Sequence, residues 1–267
     1  MPLAQPRLYA AIVELLHGRE RGAVCTVVAV EGSVPGKLGA KMLVWPDGRQ
    51  LGTVGGAGLE EQVRARAVES IASGASGLHH FTLAKWAPGG LNSICGGVVQ
   101  IAIEVLIPPP HLLLCGGGHV AQAIAQAATP LEYQYSVLDD RPDFVTPALF
   151  PQAVDRIVGT PAALFGDSPL DLSRYSDIYL LGYSWELDTE YLVEILPRFD
   201  GFVGVIGSKT KAETMRRELS ERGVAADRIA RIVSPIGLHI GAESPAEIAV
   251  SVLADLIQRV KGWVTAP

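Results

Sequence analysis

The residues best suited to chemistry lie in a glycine-rich turn, Gly116-Gly-Gly-His-Val-Ala121, which fits the pattern G-x-G-x-x-G/A. Gly116 allows a tight turn, and Gly118 lets backbone approach a ligand without a Cβ in the way. His119 lies inside the turn, where it is either close to a bound ligand or simply exposed to solvent. A helix is predicted to begin here, and its first N–H groups are free to bind an anion such as phosphate.

The number of residues between this turn and Asp139 is typical of a nucleotide-binding fold. Asp139 lies about 20 positions after Gly118, where nucleotide-binding folds place the carboxylate that accepts a ribose hydroxyl. The next residues leave two interpretations open. Asp140 and Arg141 form either an ion pair within a turn or a contact to the ligand. A tight turn that binds no ligand also remains open for the whole segment.

A second turn, Gly207-Ser208-Lys209, follows the predicted strand Phe202–Ile206. Glycine gives access, the hydroxyl and N–H groups donate hydrogen bonds, and the ammonium neutralises an anion. The turn lacks the G-x-x-x-x-G-K-[ST] spacing of a Walker A loop. The alternative is that Ser208 is simply a helix N-cap.

The first half of the chain also contains glycine-rich loops. Ser33 lies in the loop Glu31–Gly36, and a second loop runs from Gly52 to Gly58 and opens a predicted helix at about Leu59–Ser70. Glu60 falls in the first turn of that helix, where a carboxylate suits the helix dipole.

Cysteine chemistry is expected at one position. Cys95 precedes Gly96 and Gly97 in a predicted loop and is the best candidate for a reactive thiol, because loop cysteines near backbone N–H groups favour the thiolate. Cys25 and Cys115 lie in predicted strands and are expected to be small core residues. The three are widely spaced, which argues against a disulfide framework and a structural zinc site.

The elements that position these loops form two sets. Before Pro108, short predicted strands interleave with helices, which indicates an N-terminal α+β domain over residues 1–107. Pro108–Pro110 is predicted to be a stiff linker. Over residues 111–267 strands and helices alternate, which predicts an α/β, Rossmann-like, doubly wound parallel sheet. A short strand is also expected near Ile229–Ile232.

Composition excludes several classes of function. The 267 residues carry a net charge of −6 with no basic tract, which argues against nucleic-acid and anionic-membrane partners. No apolar run is long enough to span a membrane, no secretory leader is recognisable, and a cytoplasmic location is expected. No G-x-S-x-G elbow or H-E-x-x-H pair occurs, so a serine hydrolase and a zinc enzyme are disfavoured.

Taken together, the ordered motifs resemble the xanthine dehydrogenase accessory proteins, the XdhC/CoxI family. The resemblance runs nearly end to end. Its residues are Glu31–Met42, Gly52–Gly56, Leu59-Glu60, Cys95–Gly97, Glu104, Cys115–Ala121, Asp139–Pro142, Phe202–Lys209, Ser234–Ala242 and Ser244–Ala249. Gly182-Tyr-Ser departs from the family pattern, in which Thr-His precedes the serine.

The resemblance implies a cofactor chaperone rather than an enzyme. It implies that the protein binds molybdopterin-type molybdenum cofactor, with or without an added nucleotide, and protects it during sulfuration by a cysteine desulfurase. It also implies delivery of the cofactor to a molybdenum hydroxylase such as xanthine dehydrogenase, and a protein that works as a homodimer. Cys95 is the predicted contact to molybdenum. The predicted cofactor-binding residues are Ser33, Lys41, Gly55, Gly56, Glu60, Cys95, Gly96, Gly116, Gly118, His119, Asp139, Arg141, Gly207, Ser208 and Lys209.

Two other functions stay open at this stage. An NAD(P)-dependent oxidoreductase would use the same glycine turn, although the sequence offers no obvious residues for hydride transfer. A nucleotide-binding scaffold would bind a ligand without passing on any cargo.

Overall fold

The fold is that of a computed structural model, which describes residues 4–18, 20–83 and 97–261. The chain divides into two compact units, Met1–Pro108 and Pro109–Pro267, so the division falls within the proline triplet. Cys95 and Gly96, both predicted site residues, lie outside the described residues. No helix in the described ranges is long and apolar enough to cross a membrane.

The N-terminal unit is built on an antiparallel sheet of five strands in the order β3-β2-β1-β5-β4. Its elements are α1 Ala4–His17, β1 Gly22–Glu31, β2 Lys41–Val44, β3 Gln50–Gly52, α2 Ala57–Ser73, β4 Gly77–Thr82 and β5 Val98–Leu106. Helix α2 packs on this sheet because Leu59, Val63 and Ala67 recur every four residues and share one buried face.

The C-terminal unit is built on a parallel sheet of six strands in the order β11-β10-β9-β6-β7-β8. Its strands are β6 His111–Cys115, β7 Gln134–Asp139, β8 Arg156–Val158, β9 Asp177–Leu180, β10 Phe202–Val205 and β11 Ile232–Val233. Its helices are α3 His119–Ala128, α4 Pro161–Phe165, α5 Trp185–Ile195, α6 Lys209–Glu221, α7 Ala226–Ala230 and α8 Pro245–Lys261.

This strand order confirms the predicted doubly wound fold. The chain leaves β6 towards β7 and β8, then returns to the other side of β6 and continues through β9 to β11. The reversal creates a switch point between β6 and β9, and ligands of such sheets bind outside the carboxyl ends of the strands there. The glycine turn Gly116–Gly118 follows β6 directly, so it lies at this point.

Strand β6 is buried on both faces, as expected for the centre of a parallel sheet. Leu113 and Cys115 join the core that contains α5 and α6, whereas Leu112 and Leu114 join the core that contains α3 and α8. This alternation follows from the two-residue repeat of a strand. It fixes the position of the turn that β6 delivers.

One predicted element is wrong in part. The short strand expected near Ile229–Ile232 begins only at Ile232, because Ile229 is a buried residue of helix α7. A short apolar run fits a buried helical turn as well as a strand, and periodicity does not separate the two.

His111 at the start of β6 predicts a pH-dependent stability. Its ring is buried, with Nε2 3.0 Å from Ser136 Oγ, and burial lowers its pKa to about 4. Below about pH 6.5 His111 binds a proton in the unfolded chain but stays neutral in the folded chain. The free energy of unfolding therefore falls with pH until the pH reaches about 4. We expect a loss of about 2 kcal/mol between pH 7 and pH 5 from this residue.

Urea unfolding of wild type and His111→Gln at both pH values measures this loss. The substitution should flatten the pH dependence, and His239→Gln, which changes an exposed histidine, should leave it as in wild type. An equal pH dependence in all three proteins would contradict the assignment to His111.

Candidate functional site

Two glycines of the β6 turn are required by packing. Gly116 has φ +113°, and a Cβ there would lie 2.7 Å from the carbonyl carbon and oxygen of Leu181. A Cβ at Gly117 would overlap the carbonyl oxygen of Phe144. The turn is therefore pressed against the loops that follow β9 and β7, and these neighbours set its shape.

Gly118 differs from both, because a Cβ there would meet nothing within 4 Å. It is the N-cap of α3, its φ of −71° is open to any residue, and no side chain caps the helix. The first turn of a helix leaves its N–H groups without intrahelical acceptors and carries the positive end of the dipole. The side chain of His119 is exposed beside this opening. The geometry suits an anion.

Asp139, at the end of β7, binds the backbone of the glycine turn that follows β6. Its Oδ2 accepts hydrogen bonds from the Gly117 N–H at 2.8 Å and from Arg141 Nη2 at 3.0 Å. Its Oδ1 accepts from the backbone N–H of Arg141 at 3.0 Å and from Arg141 Nε at 2.9 Å. Burial favours a higher pKa for this carboxyl, but the hydrogen bonds from Arg141 and Gly117 outweigh it and lower the pKa. A carboxylate offers about four acceptor sites, and these bonds use them all.

Arg141 is the partner of this carboxylate. Its Nε lies 2.9 Å from Asp139 Oδ1 and 3.9 Å from Asp140 Oδ1, so the main ion pair joins Arg141 to Asp139 rather than to Asp140. Its guanidinium carbon lies 3.7 Å from the centre of the Phe144 ring and 4.1 Å from the centre of the Tyr183 ring. At such distances both rings make cation–π contacts with the guanidinium.

Tyr183 belongs to the loop after β9 and was not identified from the sequence. Its hydroxyl donates a hydrogen bond to Asp140 Oδ2 at 3.1 Å, and this bond raises the pKa of the phenol. The ring is 61% exposed, so it forms the outer surface of the site.

A second buried carboxylate, Asp188 on α5, was also missed. Its Oδ1 accepts from the Gly182 N–H at 3.2 Å, and its Oδ2 lies 3.1 Å from Lys211 Nζ. Burial raises the pKa of Asp188. Asp188 holds the β9 loop as Asp139 holds the β6 turn: each acid binds one glycine N–H and one basic side chain.

The turn after β10 matches the structural alternative for Ser208. Gly207 has φ +150°, and Ser208 Oγ accepts a hydrogen bond from the Lys211 N–H at 3.2 Å, which makes Ser208 the N-cap of α6. Lys209 is the first helical residue and is exposed. Its ammonium is thus available to an anion, and the Ser208 hydroxyl accepts the capping bond while keeping its own O–H as a donor.

In the N-terminal unit, the glycine loops contact one another through their backbones. A Cβ at Gly55, where φ is +138°, would lie 2.5 Å from Gly36 N. A Cβ at Gly97 would lie 2.6 Å from the carbonyl oxygen of Ser33. The structure therefore brings the loops that contain Ser33, Gly55 and Gly97 together.

Of the predicted side chains in this unit, Glu60 stabilises one of these loops, whereas Lys41 links strands β1 and β2. Glu60 accepts hydrogen bonds from the Thr53 hydroxyl, from the Gly56 N–H at 3.3 Å and from Gln50 Nε2 at 3.2 Å. Lys41 Nζ donates to Thr26 Oγ1 at 2.8 Å. Because the Glu60 carboxylate occupies the start of α2, this turn suits a phosphate less well than the turn at α3 does.

The described cysteines are unsuited to reactive chemistry. Cys25 and Cys115 are buried, and burial raises the pKa of Cys25 to about 12 and that of Cys115 further still. Within residues 4–18, 20–83 and 97–261, no group of three or more His, Cys, Asp or Glu side chains is placed to hold a metal ion. The proposed role of Cys95 stays a prediction.

Known proteins resemble both units. Residues 112–256 match the family model of the XdhC Rossmann domain, and residues 15–82 match that of the XdhC and CoxI family. The chain is 34% identical to YqeB, an uncharacterized protein of Escherichia coli K12, over 236 residues. That match covers 88% of this chain and 43% of YqeB, so the chain spans less than half of that relative.

Two further relatives match over most of their length. A probable xanthine dehydrogenase subunit of Bacillus subtilis 168 is 24% identical, with 92% of this chain and 96% of that protein covered. A crystal structure described as a xanthine dehydrogenase from Bacillus halodurans shares the fold with a TM-score of 0.51, at 21% identity and 96% coverage of both chains. The chain belongs to the XdhC and CoxI family, and its C-terminal unit is an XdhC Rossmann domain.

Proposed function

We propose that this protein is an accessory protein that binds molybdopterin-type molybdenum cofactor, protects it during sulfuration and delivers it to a xanthine dehydrogenase-like hydroxylase in the cytoplasm. The observation that carries the proposal is the uncapped start of α3 at the switch point, with open space above Gly118. Molybdopterin ends in a phosphate or a nucleotide diphosphate, and such a group suits this turn. Lys209 supplies a cation at the start of α6, on the same edge of the sheet.

The site favours this cargo over NAD(P). A dinucleotide needs a carboxylate for its ribose hydroxyl, or a basic side chain for a 2′-phosphate. In this structure the Asp139 carboxylate is saturated by Gly117 and Arg141, and the Arg141 guanidinium contacts two aromatic rings, Phe144 and Tyr183. The phosphate-binding part of the turn is open, whereas the groups that would recognise the adenosine half are engaged.

The role of chaperone fits what surrounds the turn. Burial and pKa make Cys25 and Cys115 poor nucleophiles, so catalysis through these thiols is disfavoured. Sulfur for the molybdenum would come from a cysteine desulfurase together with a thiol reductant, with Cys95 as the proposed contact to the metal and a homodimer as the working form. The Bacillus subtilis relative, described as a probable xanthine dehydrogenase component, supports a hydroxylase of that class as the recipient.

Delivery to an apo-hydroxylase tests this function. Xanthine dehydrogenase lacking its molybdenum cofactor is mixed with sulfurated molybdopterin cofactor, either free or preloaded on this protein, and recovery of xanthine oxidation is followed. Preloading should speed recovery at least about tenfold at equal cofactor concentration. In a parallel reaction that starts from unsulfurated cofactor and a cysteine desulfurase, Cys95→Ala should reduce the sulfurated fraction. Recovery at the same rate from free cofactor would leave only a nucleotide-binding scaffold and would refute delivery.

A further inference from the structure

A contact between two loops crosses the glycine turn. In the sheet order, β6 lies between β9 and β7, so the loops after β9 and β7 flank the turn after β6. Tyr183 comes from the first of these loops and Asp140 from the second, and the Tyr183 hydroxyl donates to Asp140 Oδ2 at 3.1 Å. The Tyr183 ring also stacks on Arg141, at 4.1 Å from the guanidinium carbon.

This contact lies on the path that a dinucleotide follows in a doubly wound sheet. Such a ligand lies across the switch point, with its pyrophosphate at the turn after the first strand and its adenosine beside the end of the second. Here those strands are β6 and β7, and the adenosine position is the surface formed by Asp139, Asp140 and Arg141. Tyr183 covers that surface from the β9 side.

The covered surface holds a carboxylate oxygen in need of a partner. Asp140 Oδ1 is buried and accepts no hydrogen bond from any described residue. A buried acceptor left unsatisfied is costly, and a ribose hydroxyl is a donor that would satisfy it. Asp139 uses both of its oxygens in hydrogen bonds, whereas Asp140 Oδ1 is buried and still able to accept one.

We propose that Tyr183 determines the ligand specificity of the glycine turn, by covering the Asp140 carboxylate and the Arg141 guanidinium against the adenosine half of a dinucleotide. The N–H groups at the start of α3 remain open to a terminal phosphate ester. The inference rests on the proposed function, since it states which phosphate-bearing ligands the turn admits: a pterin phosphate and not NAD(P).

The Tyr183 side chain contacts both Asp140 and Arg141, so a single substitution tests both contacts. The hydroxyl covers Asp140 and the ring covers Arg141, so truncation to alanine removes the cover from both groups at once, while Arg141 keeps its ion pair with Asp139. Tyr183→Phe removes only the hydrogen bond to Asp140 and keeps a ring over Arg141. The side chain is 61% exposed, so both variants are expected to fold.

NADH fluorescence titration of the full chain, without molybdopterin, tests the inference. Tyr183→Ala should bind NADH at least about tenfold more tightly than wild type, with Tyr183→Phe between them. Tyr9→Ala, which removes a tyrosine that is 49% exposed in α1 of the other unit, should behave as wild type. Thermal melts of all four proteins control for folding.

Two outcomes would overturn the inference. Wild type that binds NADH as tightly as Tyr183→Ala would mean that Tyr183 excludes nothing, and no binding by either protein would mean that another feature closes the turn. Molybdopterin binding by wild type is measured separately. If wild type retains molybdopterin and also binds NADH as tightly as Tyr183→Ala does, this inference is removed and the proposed function is left intact.

Discussion

Asp139→Ala should lower the free energy of unfolding of the C-terminal unit by about 2–4 kcal/mol. The carboxylate is buried and accepts four hydrogen bonds, so its removal leaves the Gly117 N–H without an acceptor and the Arg141 cation without its counter-ion. Arg141 is 34% exposed, so water partly solvates the abandoned charge and the loss stays below that of a fully buried pair. Urea unfolding followed by circular dichroism measures it.

The neighbouring acid provides the matched control. Asp140 accepts one hydrogen bond, from Tyr183, and its other oxygen is buried without a hydrogen bond from the described residues. Asp140→Ala should change the free energy of unfolding by less than about 1 kcal/mol, because it removes a weak contact and an unsatisfied atom together. Equal losses in the two variants would contradict the view that Asp139 is the residue that holds the turn.

Gly118→Leu should leave the fold intact and reduce the affinity for molybdopterin at least about 100-fold. The backbone at Gly118 has φ −71°, and an added side chain there meets no protein atom within contact distance of its Cβ. The leucine would instead fill the space above the first N–H groups of α3. Charge-assisted hydrogen bonds from those groups to a phosphate would then be lost.

Gly116→Ala separates ligand binding from folding in the same turn. Gly116 has φ +113° and backbone atoms 2.7 Å from the position of a Cβ, so alanine is strained and crowded there. We expect a loss of about 2–4 kcal/mol in stability from this variant. Gly118→Leu with a wild-type melting curve and Gly116→Ala with a lowered one would support the division, and the reverse pattern would refute it.

Much of the C-terminal fold could be predicted from local sequence. β6, α3 and α6 begin and end where the sequence predicts, because an apolar strand bounded by Gly116 and a helix that starts after Gly118 or Ser208 carry their own signals. Alternation of these elements then predicts the parallel sheet. The sequence pattern predicts a helix over Asp188–Leu196, whereas α5 begins at Trp185, because Ser184 is its N-cap.

The contacts around the site could not be predicted in the same way. Asp188 and Lys211 are 23 positions apart, and Tyr183 and Asp140 are 43 positions apart, so nothing local marks either pair. Asp139 shows a related difficulty. Its position at the end of β7 was predicted, but position alone does not reveal that Gly117 and Arg141 use both of its oxygens.

Binding of molybdopterin to the purified wild-type protein tests the central claim most directly. Native mass spectrometry gives the stoichiometry and pterin fluorescence gives the affinity, with Gly118→Leu as the comparison. We expect one molybdopterin per chain on wild type and at least about 100-fold weaker binding by the variant. Failure of wild type to retain molybdopterin, or equal retention by Gly118→Leu, would contradict the assignment of the glycine turn as the site that holds the cofactor.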